Sequence, residues 1–183
     1  MAEYTLAANP FPIGVAAPDF EMRGADGQQY SLSSFEGKDV LVVAFVCNHC
    51  PYVVAYWERL RALVAEFLEV QFVGINSNDD VNYPDDSYEK MVELAEREQL
   101  KFPYLRDESQ DIAKAYHAER TPQVFVFNAE RKLVYTGGID DSCRDAEQVG
   151  EQMLRDALLA LREGREIEKP EAPSIGCSIK WKH

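Results

Sequence analysis

The sequence predicts an α/β fold in which a mixed central sheet is flanked by helices, and three observations carry that prediction. The run VLVVAFV at 40–46 is apolar and β-branched without alternation, and VQFVGI at 70–75 reads as a second buried strand. Strands covered on both faces read this way. Between them Val53, Trp57, Leu60, Val64 and Phe67 recur at steps of four, three, four and three, the apolar stripe of an amphipathic helix. Strands then keep alternating with helices, which implies right-handed crossovers and a largely parallel sheet.

The remaining elements follow in order. Residues 1–17 are a proline-containing lead-in, and the turn signal from Gly24 to Gly27 predicts a small N-terminal hairpin. After a polar connection, NSNDDVNYPDD, a second helix is expected to open at Asp86, with Glu89 three residues on as a capping-box pair, and to run to Gln99. FPYLRD is a short extended piece, and Ser109 begins a brief helix through Tyr116. QVFVF at 123–127 and KLVYTGG at 132–138 flank the turn NAER, an antiparallel hairpin at the sheet edge. The last helix is expected over Asp145–Arg162, with Val149, Met153, Ala157, Leu158 and Leu161 inward and Gly164 as its stop. Residues 1–164 thus read as one domain, and 165–183 as a tail without periodicity.

A chain of 183 residues is long enough for one well-cored domain. Its formal net charge of −13 argues against nucleic acid or anionic lipid as the main partner. The start, MAEYTLAANPFPIG, lacks the basic and apolar regions of a signal peptide, and no window approaches a membrane span of about 20 apolar residues. A cytoplasmic location is expected, where a close cysteine pair is catalytic or metal-binding rather than structural.

That pair is Cys47 and Cys50, in AFVCNHCPYV, where the first buried strand passes into the first helix. Three readings apply. As a redox couple, Cys47 would sit at the mouth of a helix beginning near Asn48, where backbone N–H groups and the macrodipole favour thiolate. Cys50 would lie one turn inside, and Pro51 would fall in the first turn, where its missing N–H costs little. As half of a zinc knuckle, the pair would need a second half, but His49, His117, Cys143, Cys177 and His183 lack ligand spacing. As core filler, the thiols would be two small apolar groups, an odd choice around a polar Asn-His.

The motif VVAFVCNHCPYV, followed by an amphipathic helix and by Thr121-Pro122 before a strand, resembles the thioredoxin fold. APDFEM…LSSFEGKDVLVVAF, with the helix and strand inserted between pair and proline, is similar to the redoxin branch shared by TlpA-like thioredoxins and peroxiredoxins. The likeness covers residues 14–162. It implies a thiol–disulfide oxidoreductase in which Cys47 attacks and Cys50 resolves. It also implies that Pro122 is a cis-proline facing the pair and that Thr121 offers backbone groups to a bound peptide. Partners would be protein or small-molecule disulfides and a reductase; no bound cofactor or metal is expected, because the cysteines carry the electrons. Such an activity would belong to antioxidant defence and cell redox homeostasis.

Departures from the family pattern are Val46 in place of a Trp before the first cysteine, and no acidic residue in 40–46 where thioredoxin keeps a buried carboxylate. Between the cysteines, Asn48 and His49 tune the couple: a cationic His49 would lower the Cys47 pKa and make the disulfide more oxidising. A peroxiredoxin-like peroxidase is the alternative. It lacks support from Ala44, where that family resembles itself in a Thr three residues before the reactive Cys. A non-catalytic binding or metallochaperone module is another. Cys143 reads as a bystander. Cys177, in the ending GCSIKWK shared by a subset of similar redoxins, is a candidate third redox thiol, and Trp181 suggests that the tail docks.

Overall fold

The computed structural model describes residues 3–183. The order is β1 (Glu21–Gly24), β2 (Gln29–Ser31), β3 (Val40–Phe45), α1 (Pro51–Glu66), β4 (Val70–Asn76), α2 (Tyr88–Arg97), β5 (Tyr104–Arg106), α3 (Asp111–Ala115), β6 (Arg120–Thr121), β7 (Gln123–Phe127), β8 (Leu133–Gly137), α4 (Met153–Arg162) and β9 (Cys177–Ser178). Seven strands form one sheet in the order β2-β1-β5-β4-β3-β7-β8.

The centre of the sheet is parallel, β5-β4-β3, and everything outside it is antiparallel. This is less parallel than the alternation of elements implies. β7 pairs antiparallel with β3, and the hairpin to β8 continues that orientation to the edge. The N-terminal hairpin forms as expected and joins the same sheet through β1 and β5.

Both faces of the sheet are covered, which explains the unbroken apolar runs. Along β3, Leu41, Val43 and Phe45 enter one core with Phe20, Phe35, Tyr116, Phe125 and Phe127. Val42 and Ala44, with Val46 just beyond the strand, enter the other, against Val53, Trp57 and Leu60 of α1, Met91 and Leu94 of α2 and Leu154 and Leu158 of α4. A strand buried on both sides has no use for polar alternation.

Three helix boundaries differ from expectation. The first helix begins at Pro51, not near Asn48, and its N-cap is Cys50. The second begins at Tyr88, capped by the Ser87 hydroxyl, which accepts from the Lys90 N–H. Asp86 therefore caps nothing: it closes a 3-10 turn, Pro84–Asp86, and points into the protein. The expected helix over Asp145–Arg162 is broken into a 3-10 turn, Ala146–Gln148, and α4. Between them Asp141 accepts the Gly150 N–H and its own N–H bonds to Glu151, which diverts the backbone from helical pairing and leaves Val149 half-buried.

The tail is pinned along its length. Its Glu171 bridges to Thr136 and its Ser174 to Thr5, and β9 pairs antiparallel with β6. Ala172, Ser174, Ile175 and Ile179 are the residues it buries. Trp181, expected to do the docking, is 37% exposed; the β-branched aliphatics on either side of Cys177 fit the groove instead.

Candidate functional site

Three cysteines meet where β3, α1 and β9 converge. The Val46 N–H bonds to the Ile75 carbonyl, so the parallel ladder holds the chain up to the residue before Cys47. Cys47 and Cys50 are both fully buried. Opposite them the Thr121-Pro122 peptide bond is cis, as the resemblance implied. The Thr121 hydroxyl lies 3.3 Å from Cys47 Sγ, and its carbonyl 3.3 Å from Cys50 Sγ. The third thiol, Cys177, stands 2.8 Å from Cys50 Sγ.

Contact between the two sulfurs decides which is favoured as an anion. Cys50 is the N-cap of α1 but makes no side-chain capping bond; its thiol donates to the Thr121 carbonyl and to Cys177 Sγ, with Cys47 also beside it. The contact with Cys47 is the largest influence on Cys50, and against the cost of burial it and the contact with Cys177 pull the Cys50 pKa well down. Cys47 is held in the opposite direction: contact with Cys50, then burial, then the nearby Asp86 carboxylate all favour its protonated form. The expected lowering at Cys47 is therefore found at Cys50 instead. Burial and the Cys50 sulfur push the Cys177 thiol up to about 12.

Asp86 is the residue that sequence reasoning missed. Its fully buried carboxylate accepts the Asn48 N–H at 2.6 Å and the Asn78 amide at 2.7 Å, and faces His49 Nδ1 at 2.5 Å. The segment 40–46 carries no carboxylate, and the connection after β4 supplies one from a different direction. The available signal was the crowding of aspartates in NSNDDVNYPDD, which does not say which of them turns inward.

Asn48 and His49 are locked by the same connection. Asn48 donates to the Asp85 carbonyl and accepts from the Tyr104 hydroxyl. The His49 ring lies parallel to that of Tyr83, 5.7 Å between centroids. His49 is thus held against Asp86. Cys47, His49 and Asp86 also bring a thiol, an imidazole nitrogen and a carboxylate within 4.8 Å of one another, a set that can hold a metal ion.

Other sequence candidates lie elsewhere. Cys143 is buried beside α1, its N–H on the Tyr4 hydroxyl and its carbonyl on Arg59. Arg120 reaches Thr5 and the Ser174 carbonyl, holding the two ends of the chain together. The His117 ring packs edge-on against Phe11. Among the described residues no helix is long and apolar enough to cross a membrane.

Comparison with known proteins agrees with this geometry. Residues 13–136 match the AhpC/TSA family model. A solved structure of an uncharacterized conserved protein from Geobacillus kaustophilus superposes with a TM-score of 0.89 at 43% identity, covering 95% of this chain and 94% of that one. The thiol-disulfide oxidoreductase ResA of Geobacillus kaustophilus is 29% identical over 144 residues, 73% of this chain and 78% of its own. Peroxiredoxin Bcp of Escherichia coli is 30% identical over 110 residues, 59% of this chain and 65% of its own. With a central mixed sheet, a cysteine pair at the mouth of the first long helix and a cis-proline across from it, the chain is a thioredoxin-fold redoxin and belongs to the AhpC/TSA family.

Proposed function

We propose that the protein is a thiol–disulfide oxidoreductase in which Cys50 is the attacking thiol and Cys47 the resolving one. One observation carries this reading: Cys50 stands at the N-terminus of α1 with Cys177 Sγ 2.8 Å from its sulfur and Cys47 beside it, surroundings that hold its pKa below that of an ordinary thiol. This reading reverses the roles implied by the family resemblance, in which Cys47 attacks and Cys50 resolves.

The Cys50 thiolate attacks a disulfide RSSR′, forming a Cys50–SR bond and releasing R′S⁻, which takes up a proton. Cys47 then loses its proton, and its sulfur attacks Cys50, closing the Cys47–Cys50 disulfide and releasing RS⁻. Two electrons pass from the dithiol to the substrate, carried on sulfur throughout. Asp86, with its oxygen within 4.8 Å of Cys47 Sγ, is the acceptor at hand for the Cys47 proton. Thr121 steadies the Cys47 sulfur through its hydroxyl. Protein or small-molecule disulfides are the substrate class, in the cytoplasm, with a separate reductase returning the couple to the dithiol.

The peroxidase reading has one observation in its favour, a depressed thiol followed by a helix-opening proline at Pro51. It lacks groups to polarise a peroxide, since Cys47 occupies the position three before Cys50 and Arg120 is engaged with Thr5 and Ser174. The test compares reduction of a disulfide with consumption of hydrogen peroxide by wild type and Cys50→Ser. Disulfide turnover lost in Cys50→Ser is the expected result. Peroxide turnover without disulfide turnover, or a Cys50→Ser protein that still reduces disulfides, would overturn the proposal.

A further inference from the structure

The edge of β6 beside the cis-proline is where an extended substrate would add a strand, and it is already taken. β9 lies there, with Thr121 opposite Cys177 and Arg120 opposite Ser178. The fit is close: a Cβ on Gly176 would fall 2.2 Å from the Thr121 carbonyl oxygen, so only glycine permits this approach. The segment is fastened on both sides of Cys177. Upstream, Ser174 exchanges backbone hydrogen bonds with Thr5. Downstream, Ile179 bonds to the Glu119 carbonyl, and Lys180 pairs with Asn78 and, through its own carbonyl, with Asp79 and Gln110. Its thiol is thereby held 2.8 Å from Cys50 Sγ and is more exposed than either member of the pair.

We propose that Cys177 is a third redox thiol that resolves disulfides formed on Cys50, so that Cys50 exchanges between two intramolecular partners. This rests on the reading of Cys50 as the attacking thiol. Once Cys50 carries SR, Cys177 loses its proton and its sulfur attacks Cys50. The Cys50–Cys177 bond forms, the Cys50–SR bond breaks, and RS⁻ leaves with the electron pair and takes up a proton. The Cys47 sulfur can then attack Cys50 in turn, closing Cys47–Cys50 and returning Cys177 as a thiol. No further oxidant is needed, because each exchange conserves one disulfide. A fixed thiol at contact distance competes well with any free thiol in solution, since its effective concentration is set by tethering.

The test uses the full chain, oxidised glutathione as oxidant, and mapping of disulfide-linked peptides by mass spectrometry without reduction. In Cys47→Ser the expected major product is a Cys50–Cys177 disulfide. In wild type under limiting oxidant the same bond should coexist with Cys47–Cys50, a readout independent of any variant's folding. In Cys47→Ser/Cys177→Ser the Cys50–glutathione adduct should persist at least about tenfold longer than in Cys47→Ser. A stable Cys50–glutathione adduct beside a free Cys177 in Cys47→Ser, with wild type giving only Cys47–Cys50, overturns the inference and leaves the oxidoreductase reading intact. A mapped Cys50–Cys177 bond in a protein without disulfide turnover supports the inference and counts against that reading.

Discussion

Oδ2 of Asp86 lies 2.5 Å from Nδ1 of His49, and the same carboxylate receives the Asn48 N–H through Oδ1. Two residues between the cysteines are thus tied to one buried charge, brought in from the connection after β4. Asp86 fixes the loop that carries the pair and, through its charge, disfavours thiolate at Cys47. The couple is biased toward Cys50 by the contact between the two sulfurs and by the carboxylate beside Cys47.

Asp86→Asn tests both effects. The amide keeps one acceptor oxygen but sets an NH₂ against the Asn78 amide, so a buried hydrogen bond is lost. A stability decrease of about 1–3 kcal/mol is expected in denaturant unfolding. With the negative charge gone, Cys47 ionises more readily. In a Cys50→Ser/Cys177→Ser background, alkylation of Cys47 should shift to lower pH; an unmoved profile would remove Asp86 from the redox chemistry.

The ionisation of Cys50 predicts a pH dependence. Its folded-state pKa is lowered to about 5 from an ordinary thiol value of 9.0. The unfolded chain therefore binds more protons between these values, and this thiol's contribution to stability rises with pH across the interval. It is complete above 9 and is lost as pH falls through about 5. Thiolate absorbance near neutral pH should disappear on acidification with a midpoint near 5 and be absent from Cys50→Ser. A midpoint near that of an ordinary thiol would contradict the assignment of Cys50 as the attacking thiol.

Thr121→Val removes the hydroxyl 3.3 Å from Cys47 Sγ while keeping the shape of the side chain. The hydroxyl favours the Cys47 thiolate, so its loss slows the resolving step. A penalty of about 1 kcal/mol corresponds to roughly fivefold in rate. In Cys177→Ser, which isolates resolution by Cys47, single-turnover release of the second thiol should fall by that factor. The initial attack by Cys50 should be unchanged.

Gly176→Ala acts on the tail alone. Its methyl cannot coexist with the Thr121 carbonyl at 2.2 Å, so β9 must lift from β6. Overpacking of this kind costs about 1–3 kcal/mol. Alkylation of Cys50 should speed up, and the yield of Cys50–Cys177 disulfide in a Cys47→Ser background should drop. Unchanged alkylation would mean that β9 does not shield the pair.

The sequence by itself determined the elements and the reactive residue types. Val40–Phe45 had to be a strand because only a doubly covered strand can spend six consecutive positions on apolar groups, and Val70–Asn76, mostly apolar, read as its partner. The spacing of Val53, Trp57 and Leu60 had to be a helix face, and Pro51 marked its first turn. Cys47, Cys50 and Pro122 were legible for the same local reason, that strand, turn and helix signals surround them. Tertiary structure decided the rest, because it depends on contacts between residues far apart in the chain. Which cysteine caps α1 turned on a three-residue shift of the helix start, set by the Asn48 and His49 contacts to Asp86. That Asp86 faces inward, and that Cys177 meets Cys50 across 127 positions, no periodicity could record. Local patterns fix how much surface each segment must bury; only the assembled fold fixes which buried charges and thiols become neighbours.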